Sequence, residues 1–257
     1  MNISAIVITK NEEKMIEDCL KSIDFAEEII LVDTGNSDKT NTIAKKYKAK
    51  IVKFTGIGSF PDWRNKGAKN ATGDWILYLD ADERITPSLR EEIKKIMRED
   101  GVKNAYAIPR RNFIFGKEFH HSGQYPDYQK RLFNKSEFIK WTGEVHEEPK
   151  FNGDLGHLKN PMLHIKNMTL TEMVEKTNEW SEIEAKLMFD AKHPPMNVFR
   201  FGTAMIREFW LRMVVQTAFL DGKEGIIYAI YQVFSKFTSY AKLYELQLKG
   251  TNASGDI

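Results

Sequence analysis

The stretch Trp75-Ile76-Leu77-Tyr78-Leu79-Asp80-Ala81-Asp82-Glu83 ends an apolar run with three carboxylates. A short apolar run bounded by turn residues reads as a buried strand. The C-terminal ends of strands are where open α/β sheets hold their ligands. Asp80 and Asp82, spaced as Asp-x-Asp, offer oxygen donors to Mg²⁺ or Mn²⁺, and Mg²⁺ in particular shares its coordination with substrate phosphates. The competing reading is an acidic strand-to-helix turn, because Thr86-Pro87 supplies an N-cap and a proline at the first helical position.

These carboxylates need strands to carry them. Strand signals at residues 4–9, 28–33, 49–54 and 75–80 alternate with helix signals at about 13–23, 39–47 and 64–71. This βαβ rhythm implies an α/β fold with a mainly parallel, doubly wound sheet. It puts Thr9, Asn11 and Glu12 just after the first strand, Asp33 at the tip of the second, and Arg64 and Asn65 at a helix start. From about 103 to 165 shorter strands follow, at 105–109, 128–133 and 157–165, and these complete the sheet and build a second wall of the cleft. Helices are expected at 170–189, 197–220 and 224–248. The expected division is an α/β domain carrying the strand-tip carboxylates over 1–168, a helical region over 169–250 and a flexible tail over 251–257.

The set Thr9/Asn11/Glu12, Asp33, Arg64/Asn65 and Asp80/Asp82 resembles the family 2 glycosyltransferases of the GT-A fold over at least residues 1–165. The matching elements are the opening strand with Asn-Glu, Val-Asp before a Gly/Ser/Asp turn, Arg-Asn-x-Gly, and Asp-Ala-Asp. The resemblance implies a GT-A, Rossmann-like, doubly wound mixed sheet with a C-terminal helical extension. It further implies that Asp33 accepts the uracil N3–H, that Thr9, Asn11 and Glu12 line the nucleotide, and that Arg64 and Asn65 belong to the nucleotide-sugar site. Asp82 would ligate the metal directly, with Asp80 on the ribose or a metal-bound water. Arg131 matches an Arg-Leu-Phe element of the same relatives and is counted with the donor site, toward the acceptor side.

Inverting transfer needs a carboxylate to take the proton of the attacking hydroxyl. In Trp141-Thr-Gly-Glu-Val-His-Glu-Glu148, Glu147 resembles the second acid of the relatives' Glu-Asp or His-Glu pair and is the expected base, with Glu144 in reserve. A solvated acidic loop is the alternative. His146 orients acceptor or base, or is structural. His164 reads as a late metal ligand or as a structural histidine. No rival phosphate loop exists: Gly56-Ile57-Gly58 meets Pro61 where a dinucleotide fingerprint needs its third glycine, and Gly-Lys-Ser/Thr is absent.

The last two helices interleave aromatics such as Phe199, Trp210, Tyr228 and Phe237 with Arg200, Arg207 and Lys236. Their longest uncharged run, residues 225–235, is short of the ~20 residues that span a bilayer. They read either as interfacial anchors on an anionic membrane or as a helical subdomain packed on the sheet or on a second copy. Phe219-Leu-Asp-Gly-Lys-Glu-Gly225 with Tyr240-Ala-Lys-Leu-Tyr-Glu resembles the bacterial lipopolysaccharide core heptose β-1,4-glucosyltransferase group. That likeness implies a UDP-glucose donor and a glycolipid acceptor at the inner face of the cytoplasmic membrane. A polyisoprenyl-linked glycan, a peptide acceptor, or a noncatalytic partner-binding module are the alternatives.

Composition sets the frame. In 257 residues, 29% charged and 42% hydrophobic content describe an ordinary globule. A net charge of +2 without a recognisable nucleic-acid motif argues against nucleic-acid binding. The single Cys19 excludes an intramolecular disulfide and reads as a small buried hydrophobe. The first residues lack a basic segment followed by an apolar run, so a cytoplasmic setting is expected.

Overall fold

A computed structural model of the chain describes residues 2–99, 102–143, 147–166 and 169–253. The reserve base Glu144 and neighbouring His146 lie outside the described residues. The chain forms two compact units: Met1–Arg111 with Pro126–Ile165, and Asn112–Tyr125 with Lys166–Ile257. Against the division expected at residue 168, residues 112–125 belong with the helices.

In the first unit, β1 (Ile3–Thr9), β2 (Glu28–Asp33), β3 (Lys50–Lys53) and β4 (Trp75–Asp80) run parallel in the order β3-β2-β1-β4. Strands β1, β2 and β4 are buried along almost their whole length, as parallel strands covered on both faces must be. Lysines at both ends of β3 suit its place at the sheet edge. Helices α1 (Ile16–Ser22), α2 (Thr40–Lys46) and α3 (Phe60–Asn70) connect them. Helix α3 begins earlier than the sequence suggests because Pro61 suits a first turn and the Asp62 carboxylate accepts the Ser59 N–H at 2.9 Å. It approaches β1 and β2 so closely that a Cβ on Gly67 would fall 2.4 Å from Ile6 Cγ2.

The polypeptide then turns into β5 (Glu83–Ile85), so Glu83 opens its own strand instead of ending β4. Helix α4 (Pro87–Ile96) follows, with the Thr86 hydroxyl accepting the Leu89 N–H at 3.2 Å. The sheet is extended by β6 (Ala105–Ile114), while β7 (Lys117–Phe119) belongs to the second unit. Strands β8 (Asp127–Asn134), β9 (Phe138–Thr142), β10 (Glu148–Phe151), β11 (Leu155–His157) and β12 (Met162–Lys166) complete the set. From β4 the order continues β8-β6-β12-β5, with β8 antiparallel to both β4 and β6; β9 and β10 form a separate antiparallel pair. The single strand expected at 157–165 is two, because Pro161 has no N–H to give a ladder. This is a mixed α/β sheet, as the resemblance implies.

In the second unit, α5 (Leu170–Asp190), α6 (Val198–Trp210) and α7 (Gly222–Ala253) pack around Ala185, Met196, Ala204, Tyr240 and Leu243. The continuous helix expected over 197–220 stops at Trp210 and passes through a π-helical turn (Leu211–Val215) and a 3₁₀ turn (Ala218–Asp221). One long-range and one local feature mark the end of this passage. The buried Asp221 carboxylate turns inward to accept the N–H groups of His120 (3.0 Å) and His121, and Gly222 adopts φ +74°, a conformation that favours glycine. No helix among the described residues is long and apolar enough to cross a membrane.

Candidate active site

The parallel register lines up the strand tips. Thr9 pairs with Asp33 across β1 and β2, and Ile8 pairs with Asp80 across β1 and β4. Asp33 is buried and its carboxylate is held from two sides: Oδ1 accepts the N–H groups of Gly35 (2.9 Å) and Asn36 (2.7 Å), and Oδ2 accepts Asn41 Nδ2–H at 2.8 Å. Burial alone would raise this carboxyl, but those hydrogen bonds and nearby Lys53 hold it below its ordinary range. Asn36 closes the ring by donating to Thr9 Oγ1 and Asn41 Oδ1. Asn11 takes φ +58° and ties its own N–H to Asn36, while the Glu12 N–H donates to Thr40 Oγ1. Sequence reasoning found Thr9, Asn11, Glu12 and Asp33 but missed Asn36 and Asn41. Their one signal is amide side chains in the turn and helix after β2.

A second cluster centres on Asp80. Its Oδ1 accepts Arg64 Nη2–H at 3.3 Å and its Oδ2 accepts from Arg131. Arg64 also grips Glu147 bidentately, Nε to Oε2 at 2.9 Å and Nη2 to Oε1 at 3.0 Å. Arg131 continues to buried Glu83 at 2.7 Å, and Glu83 receives Arg110 at 3.1 Å. Burial would raise the Asp80 carboxyl, yet the Arg131 and Arg64 guanidiniums outweigh it and hold the group well below the carboxylate range. Arg64 lies over the Trp141 ring, 4.7 Å from its centroid, and its carbonyl accepts the Tyr78 hydroxyl. Arg64, Asp80, Arg110, Arg131, Trp141 and Glu147 help line a cavity of about 360 Å³, within the size range of small-ligand sites.

Not every expected contact has the expected form. The Asn65 side-chain amide is bound on both sides to the Trp141 backbone, donating at 3.0 Å and accepting at 2.8 Å, so it ties α3 to the strand before Glu147. Asp80, expected on the ribose or a metal-bound water, has both oxygens facing guanidiniums. Asp82 instead meets His164 Nε2 at 3.2 Å. Burial pushes the Asp82 carboxyl up, while the hydrogen bond and charge of His164 more than offset that. Among the described residues, no group of three or more His, Cys, Asp and Glu side chains converges on a metal-sized point. Arg110 and Glu83 were missed as site residues. Cys19 is buried, with its thiol pushed up by burial, as a hydrophobic role requires.

The model of the family described as glycosyl transferase family 2 matches residues 4–152. The chain belongs to that family. As a glycosyltransferase it is 29% identical over 260 residues to an uncharacterized glycosyltransferase of Rickettsia bellii, covering 96% of this chain and 87% of the relative. It is 23% identical to the lipopolysaccharide core biosynthesis glycosyltransferase LpsC of Rhizobium meliloti, covering 95% and 92%. The fold is similar to that of S. aureus TarS 1-349, solved in complex with UDP-GlcNAc, at a TM-score of 0.50 and 15% identity over 97% of this chain and 92% of that one.

Proposed function

We propose that this glycosyltransferase moves a hexose, with glucose the first choice, from a UDP-sugar to a hydroxyl of a membrane glycolipid of the lipopolysaccharide inner-core class, with inversion. The observation that carries the reading is the Arg64 bridge, which puts the Asp-x-Asp carboxylate Asp80 and the candidate base Glu147 on one polar cavity. Asp33 accepts the uracil N3–H, its carboxylate already aimed by Asn36 and Asn41. Among the described residues, Arg64 Nη1 and Arg131 Nε are buried donors without a hydrogen-bond partner, and orphaned donors of this kind call for an acceptor-rich ligand.

Glu147 takes the proton of the attacking hydroxyl. Arg64 engages one direction of each Glu147 oxygen, and a carboxylate oxygen has two lone pairs, so each keeps one for that proton. Asp82 and His164 fit Mg²⁺ or Mn²⁺ as a carboxylate–imidazole pair whose remaining ligands are diphosphate oxygens and water. The bound cation would stabilise charge on the departing diphosphate.

UDP release from a panel of UDP-sugars with Mn²⁺ or Mg²⁺, with and without a lipid extract, tests this reading. Expected is release from one sugar, increased by the extract, with Asp82→Asn losing metal-dependent UDP affinity and Glu147→Gln keeping affinity but losing transfer. Equal metal-dependent UDP affinity in Asp82→Asn and wild type would remove the metal assignment.

A further inference from the structure

Helix α6 has three faces. At about 100° per residue, Val198, Phe199, Ile206, Phe209 and Trp210 fall within one arc, and all five are exposed, Val198 at 90% and Phe199 at 78%. The opposite side, with Phe201, Ala204 and Met205, packs into the core of the second unit. Between the two runs a polar edge of Arg200, Thr203 and Arg207. With His193, Met196 and Tyr240 this edge lines a groove of about 200 Å³. Neither guanidinium meets a carboxylate among the described residues, and Glu208, the helix's one acid, is bound to Arg212 at 2.7 Å. His193 Nδ1 faces the Pro194 carbonyl at 2.8 Å, so Nδ1 carries the hydrogen.

We propose that α6 lies in the plane of an anionic phospholipid surface, its apolar arc in the acyl boundary and Arg200, Thr203 and Arg207 seating a lipid phosphate in the groove. An exposed contiguous apolar arc marks an interaction surface. Two unpaired guanidiniums along its rim select a phosphate-bearing partner over an apolar protein face, and this is how interfacial helices divide their labour. The donor and base assignments are not needed for this inference, which gives the proposed glycolipid reaction a membrane-facing element.

The test is sedimentation of the full chain with phosphatidylcholine vesicles and with vesicles containing about one third phosphatidylglycerol. Strong binding to the anionic vesicles only is expected. Since each basic residue near an anionic surface is worth about fivefold, the double variant Arg200→Ala/Arg207→Ala should bind them roughly thirtyfold more weakly. Phe199→Ser should lose binding to the anionic vesicles. Brominated lipid should quench the protein's fluorescence, and Trp210→Phe, which keeps the face apolar, should lose most of that quenching. UDP affinity, read in parallel, checks that each variant is folded and reports separately on the donor reading. Absence of binding to either vesicle, equal binding to both, or a dimer that Phe199→Ser dissociates without any vesicle binding would overturn the proposal.

Discussion

Arg64, 4% exposed, joins carboxylates that lie 16 and 83 positions away in the chain. Removing one partner of a buried ionic cluster costs about 3–5 kcal/mol, and the partial exposure of Asp80 and Glu147 reduces that to about 2 kcal/mol here. Arg64→Met should therefore lower the urea unfolding free energy by about 2 kcal/mol and abolish transfer; full activity in a stable variant would separate the bridge from catalysis. Asn41→Ala frees one oxygen of Asp33 and, at about 1.5–3 kcal/mol for a hydrogen bond to a charged group, should raise the UDP dissociation constant at least about tenfold in titration calorimetry. The Asp-x-Asp spacing and the Val-Asp turn made Asp33, Asp80 and Asp82 legible, because both are local patterns at strand ends. Arg110 was hidden: its partner Glu83 is 27 residues away, and only sheet register brings the two together. The pairing of Asp80 with Arg131 and of Asp82 with His164 was hidden for the same reason, since Arg131 and His164 come from strands on the far half of the sheet.

Helix α3 and helix α6 both contain a glycine, for opposite reasons. Gly67 lets α3 touch β1 and β2, where an added Cβ would meet the buried Ile6 methyl at 2.4 Å and Val32 at 3.2 Å. Overpacking of that kind costs about 1–3 kcal/mol, so Gly67→Ala should lower the melting temperature despite alanine's better helix propensity. Gly202 has open space around its Cβ position, and alanine there should stabilise α6 by about 0.5–1 kcal/mol. Opposite shifts in differential scanning calorimetry are expected, and a shift of the same sign in both would remove the packing argument. The elements themselves were largely readable: β2 was placed to the residue, and α5 to within one. Periodicity supplied those boundaries. It could not supply the break after Trp210, because the groups that turn Asp221 inward, His120 and His121, lie about a hundred positions upstream.

Across the whole molecule, Asp33, Asp80 and Asp82 all hold their carboxyls below the ordinary range. Near those values the unfolded chain binds more protons than the native one, so stability rises with pH through the carboxylate range. The contribution is complete above about pH 5 and is lost progressively as pH falls below it. The melting temperature should thus drop steeply below about pH 4, and less steeply in Asp33→Asn; a melting temperature unchanged down to pH 3 would contradict it. The second unit is discontinuous, since residues 112–125 join helices that begin after residue 166. The amides of His120 and His121 wait for Asp221, which a ribosome working at about 5–20 residues per second delivers roughly 5–20 s later. Until then Phe119, buried in the finished molecule, has no α7 to cover it. The nascent chain therefore carries an adhesive segment through the synthesis of its own C-terminal third, and a fragment ending near residue 168 would carry it permanently.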